Sequence, residues 1–246
     1  MSDEEIHKIK QMNEHEIHKR AGRLTVFTGP MRSKKTALLI EEIWQSEYMG
    51  LKTKAFLHRL SRSDQIQSRM SLKTYNAIKI ENAFEIFKYI ELDTQVIAID
   101  EAQFFGNEIL TTVKILINGG KDIFVSGLDL NWKGEPFGPM GGLMAMADEV
   151  IKSKTVCSIP GCQLARYATK TGFNKFDLNR SQLDTTNAPD IFVGDENIES
   201  KVYPTRCNLH WHYILSNEEK ETIDGLSEEI KSMIRMIDKK ISKIYE

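Results

Sequence analysis

Between Arg23 and Asp129, short apolar runs take turns with stretches of helical periodicity, and no other feature narrows the fold as much. "RLTVFTG", "KTKAFLH", "QVIAID" and "KDIFVSGLD" read as strands. "KKTALLIEEIWQSEYMG", ending at Gly50, "NAFEIFKYI" and "NEILTTVKILING" read as the helices between them. Near-continuous apolar strands separated by amphipathic helices predict a parallel sheet covered on both faces, an α/β fold.

The regularity stops near Ile151, and 246 residues are enough for one sizeable core plus a smaller module. The expected organisation is a polar extension over 1–22, an α/β domain over 23–154, a small module over 155–212 and an amphipathic helix over 213–246. The extension reads as a weak amphipathic helix or a loose arm. In the tail, Ile223, Leu226, Ile230, Met233, Ile237, Ile241 and Ile244 step mainly by three and four. That stripe suits packing on its own domain as well as pairing between subunits.

Thirty-three basic against thirty-five acidic residues give a formal charge of −2, so no nucleic-acid partner is expected from the overall field. No apolar run approaches the roughly 20 residues that span a bilayer. With no secretory-type leader either, a cytoplasmic protein without a membrane partner is the expectation.

Chemistry enters at "VFTGPMRSKKTALLI", a strand, a loop and a helix in that order. Phosphate-binding loops follow G-x-x-x-x-G-K-[ST], and Gly29, Lys35 and Thr36 are in register, with Lys34 in place of the second glycine. Such loops work because successive N–H groups converge on an anion at a helix N-terminus. An ordinary strand-to-helix turn with basic residues is the competing reading. "QVIAIDEAQFF" then sets Asp100 and Glu101 at the carboxyl end of an apolar strand, the edge where open α/β sheets bind ligands. An Asp there suits Mg²⁺, and the adjacent Glu suits a general base for a hydroxyl nucleophile. Taken alone the pair reads more readily as a helix cap; taken with the loop it points to phosphoryl transfer.

All three cysteines lie in the second module, as Cys157-x4-Cys162 and Cys207-x2-His210. Three thiolates and an imidazole are a common structural zinc set; three buried thiols are the alternative.

Four blocks, "GPMRSKKT", "DEAQFF", "GLDLNWKGEPFGPM" and the cysteine module, resemble in order and spacing the type II thymidine kinases, the cellular, bacterial, poxviral and phage class. The resemblance covers roughly residues 23–212 and implies a P-loop NTPase-type sheet with a zinc-bound lasso domain. It implies ATP with Mg²⁺ as phosphoryl donor and deoxythymidine as acceptor, with deoxyuridine the alternative, in a homotetramer. ATP phosphates fall to Gly29, Pro30, Met31, Arg32, Ser33, Lys34, Lys35, Thr36 and Arg62. Mg²⁺ falls to Thr36 and Asp100, proton removal from the 5′-hydroxyl to Glu101. The base falls to Met31, Phe104, Leu128, Trp132 and Phe137, and on the lasso side to Thr169, Phe192, Val193, Gly194 and Tyr203. Zn²⁺ falls to Cys157, Cys162, Cys207 and His210.

The chain also departs from the family pattern. Lys34 stands for glycine, at a cost of about 1 kcal/mol if the position needs positive φ. Arg32 stands for an aromatic, Leu60 for an Asp and Thr171 for an arginine, and the first cysteine knuckle is longer than usual. These departures raise an alternative, a nucleotide-binding homologue with impaired kinase activity. A P-loop ATPase with another substrate is disfavoured by the base-pocket block.

Overall fold

The computed structural model describes residues 21–61, 63–68, 72–131, 134–162, 170–171, 204–211 and 217–243. The chain divides into two compact units, Met1–His212 and Tyr213–Glu246.

In the first unit, six parallel strands form one sheet. They are β1 (Leu24–Thr28), β2 (Thr53–His58), β5 (Ile78–Ile80), β6 (Val96–Asp100), β7 (Asp122–Gly127) and β8 (Glu149–Lys152), in the order β5-β2-β6-β7-β1-β8. A two-stranded antiparallel ribbon, β3 (Gln65–Gln67) with β4 (Thr74–Asn76), precedes β5. The α/β expectation therefore holds.

Period-two alternation accounts for the two faces of the sheet. Leu24, Val26, Phe56, Ile97 and Ile99 pack with helix α2 (Glu108–Asn118) and the short α3 (Met140–Met146). Their neighbours Phe27, Ala55, Leu57 and Ala98 pack with Leu39, Ile40 and Ile43 of helix α1 (Lys35–Tyr48). Those three α1 side chains are fully buried, at roughly 1.5–3 kcal/mol each in hydrophobic stabilisation. Every residue of β6 is buried, as a central strand covered on both faces requires.

Two elements differ from the sequence reading. "NAFEIFKYI" forms a 3₁₀ helix over Ala83–Lys88 instead of an α-helix. Asn82 and Glu85 close a capping box at its start, and the segment ends before a full α-helical register is established. The strand β8 was not expected from the sequence. It runs beside β1, pairing Thr28 with Lys152.

The second unit contains two helices, α4 (Asn217–Asp224) and α5 (Glu228–Lys243). Gly225 closes α4, its N–H donating to the Glu221 carbonyl at 3.0 Å. The apolar stripe is therefore interrupted between Ile223 and Ile230, where the first helix ends and the second begins; Ile244 lies outside the described residues. No helix among the described residues is long and apolar enough to cross a membrane.

Candidate functional site

β1 leads directly into the loop 29–34, and α1 begins at Lys35. Gly29 has φ +130°, and a Cβ there would lie 2.3 Å from the Ser153 carbonyl oxygen. Only glycine can let the loop pass that closely under the chain leaving β8. Gly29→Ala is expected to destabilise by about 2–3 kcal/mol, lowering the thermal midpoint on the order of 5–10 °C. Thermal unfolding of the purified variant checks this.

Arg32 at φ 59° and Lys34 at φ 70° are both left-handed, with Lys34 acting as N-cap of α1. The position of the missing glycine thus does hold the conformation a glycine would favour. The loop runs into a helix start with no acidic residue in its first turn, the end of a helix that favours an anion. Lys35 folds back, its Nζ donating to the Pro30 carbonyl at 2.7 Å. The Ser33 hydroxyl is buried with no hydrogen-bond partner. An orphaned donor, a lysine and a helix N-terminus suit the phosphates of a nucleotide. Thr155 Oγ1 ties the loop by donating to the Arg32 carbonyl at 3.1 Å, and just before the loop Thr28 Oγ1, at the end of β1, donates to the Gly127 carbonyl of β7 at 3.1 Å.

β6 ends at Asp100, which is buried, and its Oδ1 accepts from the Glu101 N–H at 2.9 Å. Burial, then the neighbouring Glu101 carboxylate, pushes the Asp100 carboxyl up to about 7. Two adjoining carboxylates at a strand end, one with its ionisation this disfavoured, form a donor set that a divalent cation would relieve. Glu101 itself is left-handed, φ 54° and ψ 40°. A non-glycine residue held there stores strain, a feature that clusters at functional sites.

The Glu101 carboxylate accepts a hydrogen bond from Gln103 Nε2 at 2.6 Å, and Gln103 Oε1 accepts the Leu128 N–H at 3.0 Å. The segment from Leu128 folds on itself. Phe137 N–H donates to the Asp129 carbonyl at 3.0 Å, and Asn131 and Glu135 exchange bonds of 2.9–3.0 Å. Asp129, buried, pairs with Lys152 of β8 at 2.7 Å. This fold returns Phe137 to Phe104, ring centroids 6.0 Å apart and edge to face. Phe104, Leu128 and Phe137 are half-buried, leaving apolar faces beside Glu101. His58 packs behind Phe104, at 5.9 Å, and edge-on to Phe105, at 4.7 Å.

Of the residues singled out in the sequence, the structure brings Asp100, Glu101, Phe104, Leu128 and Phe137 together. Gly29, Pro30, Met31, Arg32, Ser33, Lys34, Lys35 and Thr36 form the loop and the start of α1. Arg62, Trp132, Thr169, Phe192, Val193, Gly194 and Tyr203 lie outside the described residues. Gln103 escaped the sequence reading, although an amide in the apolar run after two carboxylates was its signal.

Cys157, Cys162, Cys207 and His210 offer ligand atoms all within 4.8 Å of one another. Cys162 Sγ lies 3.7 Å from Cys207 Sγ, and His210 Nδ1 lies 3.3 Å from Cys207 Sγ and 3.6 Å from Cys157 Sγ. Tetrahedral Zn²⁺ with Zn–S near 2.3 Å needs S···S of about 3.8 Å and S···N of about 3.5 Å. The cluster fits structural zinc, and the longer first knuckle does not prevent it. Burial works to raise the Cys157 thiol, but hydrogen bonds from the Ile159 and Cys207 backbone and contacts with the other two thiols outweigh it and hold the thiol below its ordinary range. Thr205 staples the two knuckles, donating from Oγ1 to the Val156 carbonyl at 2.6 Å and from N–H to Ser158 Oγ at 3.1 Å.

The thymidine kinase family model matches residues 22–211. A thymidine kinase of Ureaplasma urealyticum serovar 10 is 40% identical over 156 residues, covering 61% of this chain and 70% of that protein. That of Coprothermobacter proteolyticus is 35% identical over 197 residues, covering 79% and 93%. That of Mycoplasmoides gallisepticum is 32% identical over 193 residues, covering 77% and 80%.

Proposed function

The chain belongs to the type II thymidine kinase family, and from that premise we propose that it transfers the γ-phosphoryl group of ATP to the 5′-hydroxyl of deoxythymidine. The observation that supports this is the strained, left-handed Glu101, which follows the buried Asp100 at the end of β6 and whose carboxylate is tied through Gln103 to the start of the Leu128–Phe137 segment.

In the reaction, Glu101 takes the proton from the 5′-hydroxyl as its oxygen bonds to the γ-phosphorus. The bond from the γ-phosphorus to the β,γ-bridging oxygen breaks, and ADP leaves with that electron pair. The loop N–H groups and Lys35, released from the Pro30 carbonyl, hold the phosphates. Phe104, Leu128 and Phe137 wall the base, with Met31 on the loop side. Asp100 and Thr36 would hold Mg²⁺, which when bound neutralises charge on the β- and γ-phosphates. Positioning and electrostatics supply most of the rate in such transfers. Arg62 on the phosphates, and Trp132, Thr169, Phe192, Val193, Gly194 and Tyr203 on the nucleoside, complete the site by resemblance. The three cysteines and His210 would hold Zn²⁺ in a structural role. A homotetramer working in the cytoplasm is likewise read from resemblance.

Labelled-thymidine phosphorylation by the purified protein tests the activity. Deoxyuridine, which lacks only the C5 methyl, is the competitor that tests the base. Absence of labelled monophosphate, with ATP hydrolysed regardless of thymidine, would return the chain to the generic ATPase class.

No observation favours the impaired alternative. Lys34 takes up the left-handed turn with an exposed side chain. Lys34→Gly removes a left-handed cost of about 1–2 kcal/mol, against about 0.4–1 kcal/mol of added unfolded-state entropy. A small gain in thermal midpoint with unchanged turnover is therefore expected. A large rise in turnover would reinstate impairment.

A further inference from the structure

Gln103 is 2% exposed, and both ends of its amide are used. A backbone N–H can only donate, so the bond from Leu128 requires Oε1 to face it, and the amide NH₂ must then face Glu101. The orientation is fixed by the chain itself. The Gln103 backbone is confined as well: Gly138, at φ +51°, approaches so closely that a Cβ there would sit 2.4 Å from the Gln103 carbonyl oxygen. The side chain thus links the carboxylate of Glu101 to the start of the base-side loop at Leu128, while the Gln103 backbone lies against the end of that loop at Gly138.

Resting on the reading of Glu101 as base, we propose that Gln103 is a positioning residue for phosphoryl transfer. Its amide holds the Glu101 carboxylate in the same register as the Leu128–Phe137 wall, so a nucleoside seated on that wall presents its hydroxyl to a base already aimed. A carboxylate on a left-handed residue is otherwise free to rotate about its side-chain bonds. A misplacement of about 1 Å can cost on the order of 100-fold in rate.

Two variants separate the two bonds. Gln103→Glu keeps the volume and the acceptor for Leu128 but sets a carboxyl group against Glu101. Gln103→Met keeps the volume and loses both bonds. Expected for Gln103→Glu is a kcat lower by about 10- to 100-fold with KM for thymidine little changed; for Gln103→Met, a similar fall in kcat and a higher KM. In a Glu101→Ala background, either substitution should lower kcat little further, because the group being positioned is gone. Full additivity in that background, or equal losses of thermal stability with kcat intact, would overturn the proposal and leave Gln103 a structural residue. Failure of Glu101→Ala itself to lower kcat would instead remove the base assignment. If Gln103→Met does not fold, the Gln103→Glu comparison in the two backgrounds still decides.

Discussion

Glu101→Ala is expected to lower kcat for thymidine phosphorylation by about 10²–10⁴-fold, the usual contribution of a positioned general base. KM for ATP should move little, because the loop from Gly29 to Thr36 is held by contacts that do not involve Glu101, among them the bond from Thr155 to the Arg32 carbonyl. The alanine inherits the left-handed backbone, so the protein should fold no worse for steric reasons. Glu101→Gln is the companion variant: it keeps the size while losing the ability to accept a proton, and should be about as slow. Initial rates with labelled thymidine at saturating ATP read both. A variant with native turnover would mean that the proton leaves by another route, and would take the base assignment with it.

Cys207→Ser is the second change with a large expected effect. Cys207 is fully buried and its sulfur is close to both Cys162 and His210. Loss of an outer-shell partner costs a metal site roughly 10- to 100-fold in affinity, and loss of a ligand should cost at least that. Binding free energy at such sites is also folding free energy. The purified variant should therefore contain little zinc by elemental analysis. It should also unfold at lower temperature, as the Thr205 staple between the knuckles loses its anchor. Wild-type protein without zinc, or a variant that keeps it, would overturn the zinc reading.

Much of the sheet was legible because local patterns decide it. The runs that became β1, β2, β6 and β7 are apolar enough to be buried on both faces, and α1 and α2 carry the helical period between them. At Ala83–Lys88 the sequence indicates a helix but not its 3₁₀ type, because its apolar spacing is compatible with either helix type. β8 was missed because "EVIK" is short and mostly exposed, with only Ile151 half-buried, and has too little pattern to be recognised. The site followed the same division. Asp100 and Glu101 announce themselves at a strand end, while Gln103 is an ordinary amide until Leu128, 25 residues on, supplies its partner.

By itself, then, the sequence determined the kinds of element and their succession, a phosphate-type loop between β1 and α1, a carboxylate pair after β6, and a cysteine–histidine set. Each rests on residues close together in the chain, where steric preference and periodicity act directly. The tertiary structure alone decided that β7 lies between β1 and β6, that β8 flanks β1, and that the Cys157 and Cys207 knuckles meet within 4.8 Å. It alone also showed Lys34 accepting glycine's turn. These depend on contacts between distant segments, which packing and buried hydrogen bonds select only once the whole sheet has formed.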